Sequence, residues 1–316
     1  MDVALIEGRD PSSGVFIHSS GVHGAEGYVG SAIQSAFLNQ LRTQPNRTVI
    51  LIHAVNPFGF AHDRRFNENN VDVNRNGLRN FTDALLRDPN IAGHADFDAL
   101  FNPNEELGLF EFYVTFYLKA LLQIVLHGFT TIKRALVTGQ YHKAAGLFYG
   151  GNKSEASYIA LTDVLSNVSH RPGPVTWVDV HSGLGPEGVI TLLTEFDINE
   201  DMRTRLPRDS IVEEWKKRGD DAGAVSGYDL SVGHLSEFAH QELNRTVNFV
   251  TIEHGTVSGI QIARALVFEN YGYSSKRSSQ LFWAMHVKNA FYVASTGWRV
   301  KSVNDGLVII DALLDT

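Results

Sequence analysis

The fold is decided by residues 14–55, GVFIHSSGVHGAEGYVGSAIQSAFLNQLRTQPNRTVILIHAV. Gly14–Ser19 is a short apolar run ending in small residues, which reads as a buried strand. A glycine-rich turn follows at Gly21–Gly27, and Tyr28–Leu41 then carries apolar residues at helical spacing. Thr48–Val55 is a second continuous apolar run, closed by the turn residues Asn56-Pro57-Phe58-Gly59. Strand, helix and strand in this order make a crossover unit, which belongs to a largely parallel sheet.

The rest of the chain extends that unit. Ala61–Asn104 is polar with little periodicity, and an irregular stretch of that length is usually functional. Helices are expected at Glu105–Val137 (one or two), Ser154–Val168, Ser210–Arg218, Leu235–Leu243 and Ser278–Ala294, and strands at Val175–Val180, Val189–Thr194 and Thr246–Ile252. With no repeat, linker or break in composition, the expectation is one α/β domain over residues 1–316, with helices on both faces of the sheet.

Composition narrows the function classes. Hydrophobic residues make up 43% of the chain, enough for a large core, and the formal charge of -8 argues against nucleic acid as a partner. There is no cysteine, so a zinc site must be built from His, Asp or Glu. The start, MDVALIEGRD, is acidic and lacks the apolar segment of a signal peptide, which points to the cytoplasm. Leu107–Leu126 is apolar over a bilayer's length, but Glu111, Lys119 and Gln123 interrupt it and no basic cluster flanks it. A buried helix is expected there, and no membrane partner.

In open α/β sheets ligands bind beyond the carboxyl ends of the strands. His23 and Glu26 follow the first strand-like run, Arg65 to Arg75 the second and His181 the third, while Glu253 closes the last. His23-Gly24-Ala25-Glu26 is a His-x-x-Glu, a spacing that chance alone supplies about once in a chain like this. A second copy, His234 to Glu237, falls in a helix-like segment and reads as a solvated helix face. The first differs because its glycines let the backbone fold so that an imidazole and a carboxylate reach one ion. Asp179 and His181 alternate onto one side of their strand. Two His and one Glu complete a catalytic zinc set, with a fourth position left for water.

Together with Asn74-Arg75 in VDVNRN (residues 71–76), His181-Ser182 and Glu253 in Thr251-Ile252-Glu253, this pattern resembles the zinc metallocarboxypeptidase superfamily. SSGVHGAEGYVGSAIQ, NPFGF, RRFNENNVDVNRN, GLFYGG and VDVHSGLGPEG are similar to an uncharacterised carboxypeptidase-like group within it. The resemblance implies a three-layer α/β/α fold around a mixed, largely parallel sheet. It implies zinc on His23, Glu26 and His181, with Glu253 as general base and Asp72 orienting His23. Asn74 and Arg75 would hold a substrate's carboxylate, and Arg65 would stabilise the oxyanion, with its neighbour Arg64 as the alternative.

The activity implied is hydrolysis of a peptide or amide bond beside a free carboxylate. Two rivals share the fold: a deacylase of N-acyl amino acids, aspartoacylase-like, marked by a small, closed, cationic pocket, and a non-catalytic binding protein. Two departures stand out. Gly77 replaces the aromatic that usually follows Asn-Arg-Asn, so a looser pocket wall is expected. Relatives of the narrower group also carry further N-terminal residues, so an incomplete N-terminus is expected.

Overall fold

The apolar runs of residues 14–55 form two neighbouring parallel strands joined by a helix, as their pattern requires. The computed structural model describes residues 1–85, 90–214, 230–275 and 279–314. Its strands are β1 (Asp2–Ile6), β2 (Val15–Ser20), β3 (Thr48–His53), β4 (Val175–Ser182), β5 (Ile190–Thr194), β6 (Ile211–Glu214) and β7 (Val247–His254). They hydrogen-bond in the order β1-β3-β2-β4-β7-β5-β6. The centre, β3-β2-β4-β7, is parallel throughout, while β1 runs antiparallel to β3 and β5 antiparallel to β7. The sheet is mixed and largely parallel.

Alternation along the strands sorts side chains to two cores. Phe16, Val49, Leu51, Val178, Val180, Val250 and Ile252 face α1 (Gly27–Gln40) and the C-terminal helix Thr296–Leu314. Ile17, Ile50, Ile52, Trp177 and Phe249 face the helices Ala156–Ser169 and Leu235–Leu243 on the other side. Strands buried on both faces read as continuous apolar runs, which is how they were recognised. A third cluster, rich in Phe, joins α2 (Phe116–His127), α3 (Phe129–Val137), α4 (Gly259–Ser274) and α5 (Gln280–Phe291).

Several expectations need correction. Ser210–Arg218 is not a helix where it is described: Ile211–Glu214 pairs with β5 as an edge strand, and residues from 215 lie outside the described segments. Ile211 and Val212 are β-branched, and pairing with β5 outweighs a short helical pattern. Leu107–Leu126 is not a buried helix. Phe112, Phe116 and Ala120 are buried, but Leu118, Leu121, Leu122, Val125 and Leu126 are exposed. Among the described residues no single helix is long and apolar enough to cross a membrane, and Glu111–His127 and Phe129–Val137 meet that test only as a pair bent by 111°.

Candidate active site

His23 stands directly after β2 and opens a short 3-10 turn, Gly24–Glu26, that runs into α1. Gly24 is required by close packing, since a Cβ there would lie 1.9 Å from the carbonyl carbon of Gly59. The Ala25 N–H donates to the Arg64 carbonyl at 2.8 Å, which ties the turn to the segment carrying Arg65. His181 comes from the carboxyl end of β4, and strand register sets it beside Glu253 on β7. Residues from positions 23 to 253 thus meet at one edge of the sheet.

The ligating atoms of His23, Glu26 and His181 all lie within 4.8 Å of one another, and all three residues are buried. Both Nδ1 atoms approach the Glu26 carboxylate: His23 Nδ1 is 3.0 Å from Oε1, and His181 Nδ1 is 3.0 Å from Oε2. The opposite ring nitrogens meet other carboxylates. His181 Nε2 is 2.6 Å from Asp179 Oδ2, and His23 Nε2 lies 3.1 Å from Asp72 Oδ1 and 2.8 Å from Arg65 Nη2. Protons on the two Nδ1 atoms would satisfy Glu26, and a metal ion in their place would meet two Nδ1 lone pairs and an ionised carboxylate at once. His23 Nδ1 has no hydrogen-bond partner, consistent with the second arrangement. The set of two imidazoles and a carboxylate, each imidazole braced by a further carboxylate, fits zinc.

The electrostatics point the same way. Burial alone would raise Glu26, but His23, the hydrogen bond from His181 and Arg65 together hold it well below the usual carboxylate range. Burial disfavours charge on His181, yet Asp179 and Glu26 hold it well above its ordinary value, so a proton fills part of the cation's place. Asp72 is kept ionised against burial by Arg65 and His23. Glu253 differs, since burial pushes it up to about 7 despite the opposing pull of His181. A carboxylate poised there suits proton transfer at neutral pH.

The two arginines separate cleanly. Arg64 is turned into the protein, with Nε 2.7 Å from Glu269 Oε1 and its guanidinium over the Tyr273 ring. Arg65 lines the cavity and bonds to Glu26 (2.9 Å) and Asp72 (3.1 Å). Asn74 and Arg75 also line the cavity. Asn74 Oδ1 accepts the Leu235 N–H at 2.9 Å, and Arg75 donates to the carbonyls of Asn74, Val137 and Thr138, which clamp its guanidinium in place.

Two groups at the site went beyond the sequence reading. Asp179 was seen only as sharing a face with His181, whereas it braces the ring and in turn accepts from Ser19 Oγ at 2.6 Å, which accepts from Trp177 Nε1. The alternation Asp-x-His on a strand was the available signal. His234 is not on a solvated helix face: it is buried at the start of its helix, lines the cavity and contacts Ser231 Oγ at 2.8 Å. Glu237 accepts the Gly233 N–H at 2.7 Å, and among the described residues the cluster able to hold a metal is His23, Glu26 and His181, not this second His-x-x-Glu. Gly77 loosens nothing, because a Cβ there would lie 2.8 Å from the His234 carbonyl oxygen and 2.9 Å from the Tyr158 hydroxyl.

The cavity has a volume of about 340 Å³. Its floor carries the polar residues above, and one lobe is walled by apolar side chains of α2, α3 and α4.

Residues 1–305 match the family described as "Protein of unknown function (DUF2817)". The chain belongs to that family. No curated protein sequence matches it. Among solved structures it is similar to murein-tripeptide amidase MpaA from Escherichia coli O157, at 16% identity, 85% of this chain, 84% of that one and a TM-score of 0.41. It is similar to carboxypeptidase A from Helicoverpa armigera (14% identity, 92% and 69% covered, TM-score 0.44). It is also similar to succinylglutamate desuccinylase from Chromobacterium violaceum (13% identity, 91% and 62% covered, TM-score 0.40). What this chain does is carried by its own side chains.

Proposed function

We propose that the protein is a zinc-dependent hydrolase of a peptide or amide bond next to a free carboxylate. The observation that carries this reading is the convergence of both Nδ1 atoms on Glu26, with Asp72 and Asp179 behind them and Glu253 alongside. Zinc held by His23, Glu26 and His181 supplies Lewis acidity, polarising a carbonyl and making water a better nucleophile at neutral pH.

The chain's own groups do the rest. Glu253 takes a proton from water as the new C–O bond forms, then returns it to the departing nitrogen as the C–N bond breaks, giving a carboxylate and an amine. Asn74 and Arg75 orient the substrate through its carboxylate; the carbonyl clamp on Arg75 fixes where its remaining hydrogen-bonding capacity points. Arg65 is the cation for the developing oxyanion, a role that requires its guanidinium to turn from Glu26 and Asp72 as the charge forms. A roomy, largely apolar cavity favours peptides or large amides over the small polar acyl groups that a closed cationic pocket would select.

A panel of peptides with free and amidated C-termini, beside N-acyl amino acids, tests the reading. Cleavage confined to free carboxylates is expected. Equal cleavage of amidated peptides contradicts the role given to Asn74 and Arg75.

A further inference from the structure

One side of α2 lines the cavity and the other faces out. Phe116, Ala120 and Ile124 wall the apolar lobe, while Leu118, Leu121, Leu122 and Val125 follow one another at helical spacing on the opposite side, and Val125 is 74% exposed. At the bend into α3, Phe129 does both: it lines the cavity and is 48% exposed. Phe129 thus links the exposed apolar side of the pair to the cavity lining. Charge on this face is sparse, and Lys119 is neutralised by Glu105. Soluble proteins seldom expose a contiguous apolar patch of this kind without using it.

The geometry points to an amphiphilic substrate: a long hydrocarbon chain occupies the lobe, the amide lies at the metal centre, and the outer face of α2 rests on the lipid surface from which the molecule is drawn. This rests on the hydrolase reading and narrows it to N-acyl amino acids or peptides with a fatty acyl chain. A zwitterionic surface suits the face, because the protein's net charge of -8 opposes an anionic one. Residence on a surface differs from spanning: no single described helix is long and apolar enough to span, and Glu111–His127 and Phe129–Val137 pass that test only together across a 111° bend.

The test separates chain binding from catalysis. Zinc-loaded Glu253→Gln protein is titrated calorimetrically with N-acetyl-, N-octanoyl- and N-lauroylglycine, and the zinc-loaded native protein is assayed on the same three. Affinity should rise by about a hundredfold or more from acetyl to lauroyl, a conservative figure for ten added methylenes. The protein should also float with phosphatidylcholine vesicles. The double variant Leu122→Glu/Val125→Glu should lose about tenfold in that partition while its turnover of N-acetylglycine is unchanged.

Acetyl and lauroyl compounds binding within about threefold of each other, or no partition onto vesicles, overturns the inference. So does a stable dimer that the double variant dissolves, because a second copy would then cover the face. Tight chain-dependent binding without hydrolysis of any member sinks the hydrolase reading and leaves only the acyl-chain site standing.

Discussion

Replacing Asp179 by Asn keeps the shape of the side chain and removes the charge behind His181. In the native protein Asp179 Oδ2 takes the His181 Nε2 proton at 2.6 Å, and Oδ1 accepts from Ser19 Oγ at 2.6 Å. An asparagine satisfies only one of these. If its oxygen faces His181, its amide nitrogen meets Ser19 Oγ, whose proton then loses its acceptor. If it is flipped, the amide donates toward Nε2 and favours the tautomer with the proton on Nδ1, which cannot ligate. In the first orientation one buried hydrogen bond is lost, a cost of about 1–2 kcal/mol in stability; in the second both contacts keep a donor and an acceptor, and the loss falls on metal binding. Loss of a carboxylate behind a metal-binding imidazole weakens metal binding by about tenfold to a hundredfold, or about 1.4–2.7 kcal/mol. Competition with a chromophoric chelator at pH 7 measures the affinity, and urea unfolding the stability. Zinc affinity within about twofold of wild type in a folded Asp179→Asn protein would refute the reasoning.

Other consequences are independent of that carboxylate. Arg64→Met leaves Glu269 buried and unpaired, and urea unfolding should show a loss of about 3–5 kcal/mol, largely recovered in the Arg64→Met/Glu269→Met double variant. No recovery would contradict the pairing. His254 is buried, without a hydrogen-bond partner, and burial brings its pKa down to about 3. Its unfolded form binds a proton more readily than its folded form, so stability is complete above about 6.5 and falls as pH drops from there toward 3. Thermal melts of His254→Phe should show a shallower acid slope; an unchanged slope would count against it. Asn74→Ala should raise KM for substrates with a free carboxylate by about tenfold, with kcat less affected, and a pure loss in kcat would move Asn74 from binding to chemistry.

The central sheet was legible because its strands are buried on both faces, so Thr48–Val55 reads as a continuous apolar run and Val175–Val180 as a strand-like one despite Thr176 and Asp179. Edges were less so. Asp2–Ile6 is largely exposed and was not seen as a strand, and Ile211–Glu214 owes its form to β5 rather than to its own pattern. The helices Gly259–Ser274 and Thr296–Leu314 are packed on more than one side, which blurs the amphipathic period that marks a helix. At the site, His23, Glu26, His181 and Glu253 were readable from their places after strands and Asp72 from the family resemblance, and the structure brings them together. Which of Arg64 and Arg65 faces the cavity was not readable. That choice depends on Glu269 and Tyr273, some two hundred residues away in sequence, which capture Arg64.

Metal content of the purified protein tests the central claim most directly, read beside three variants. About one zinc per chain is expected for the wild type, retained in Glu253→Gln with turnover lost, and absent from His23→Ala and His181→Ala. A wild-type protein that binds no zinc at neutral pH, or variants of His23 and His181 that bind it as well as the native chain, would contradict the account.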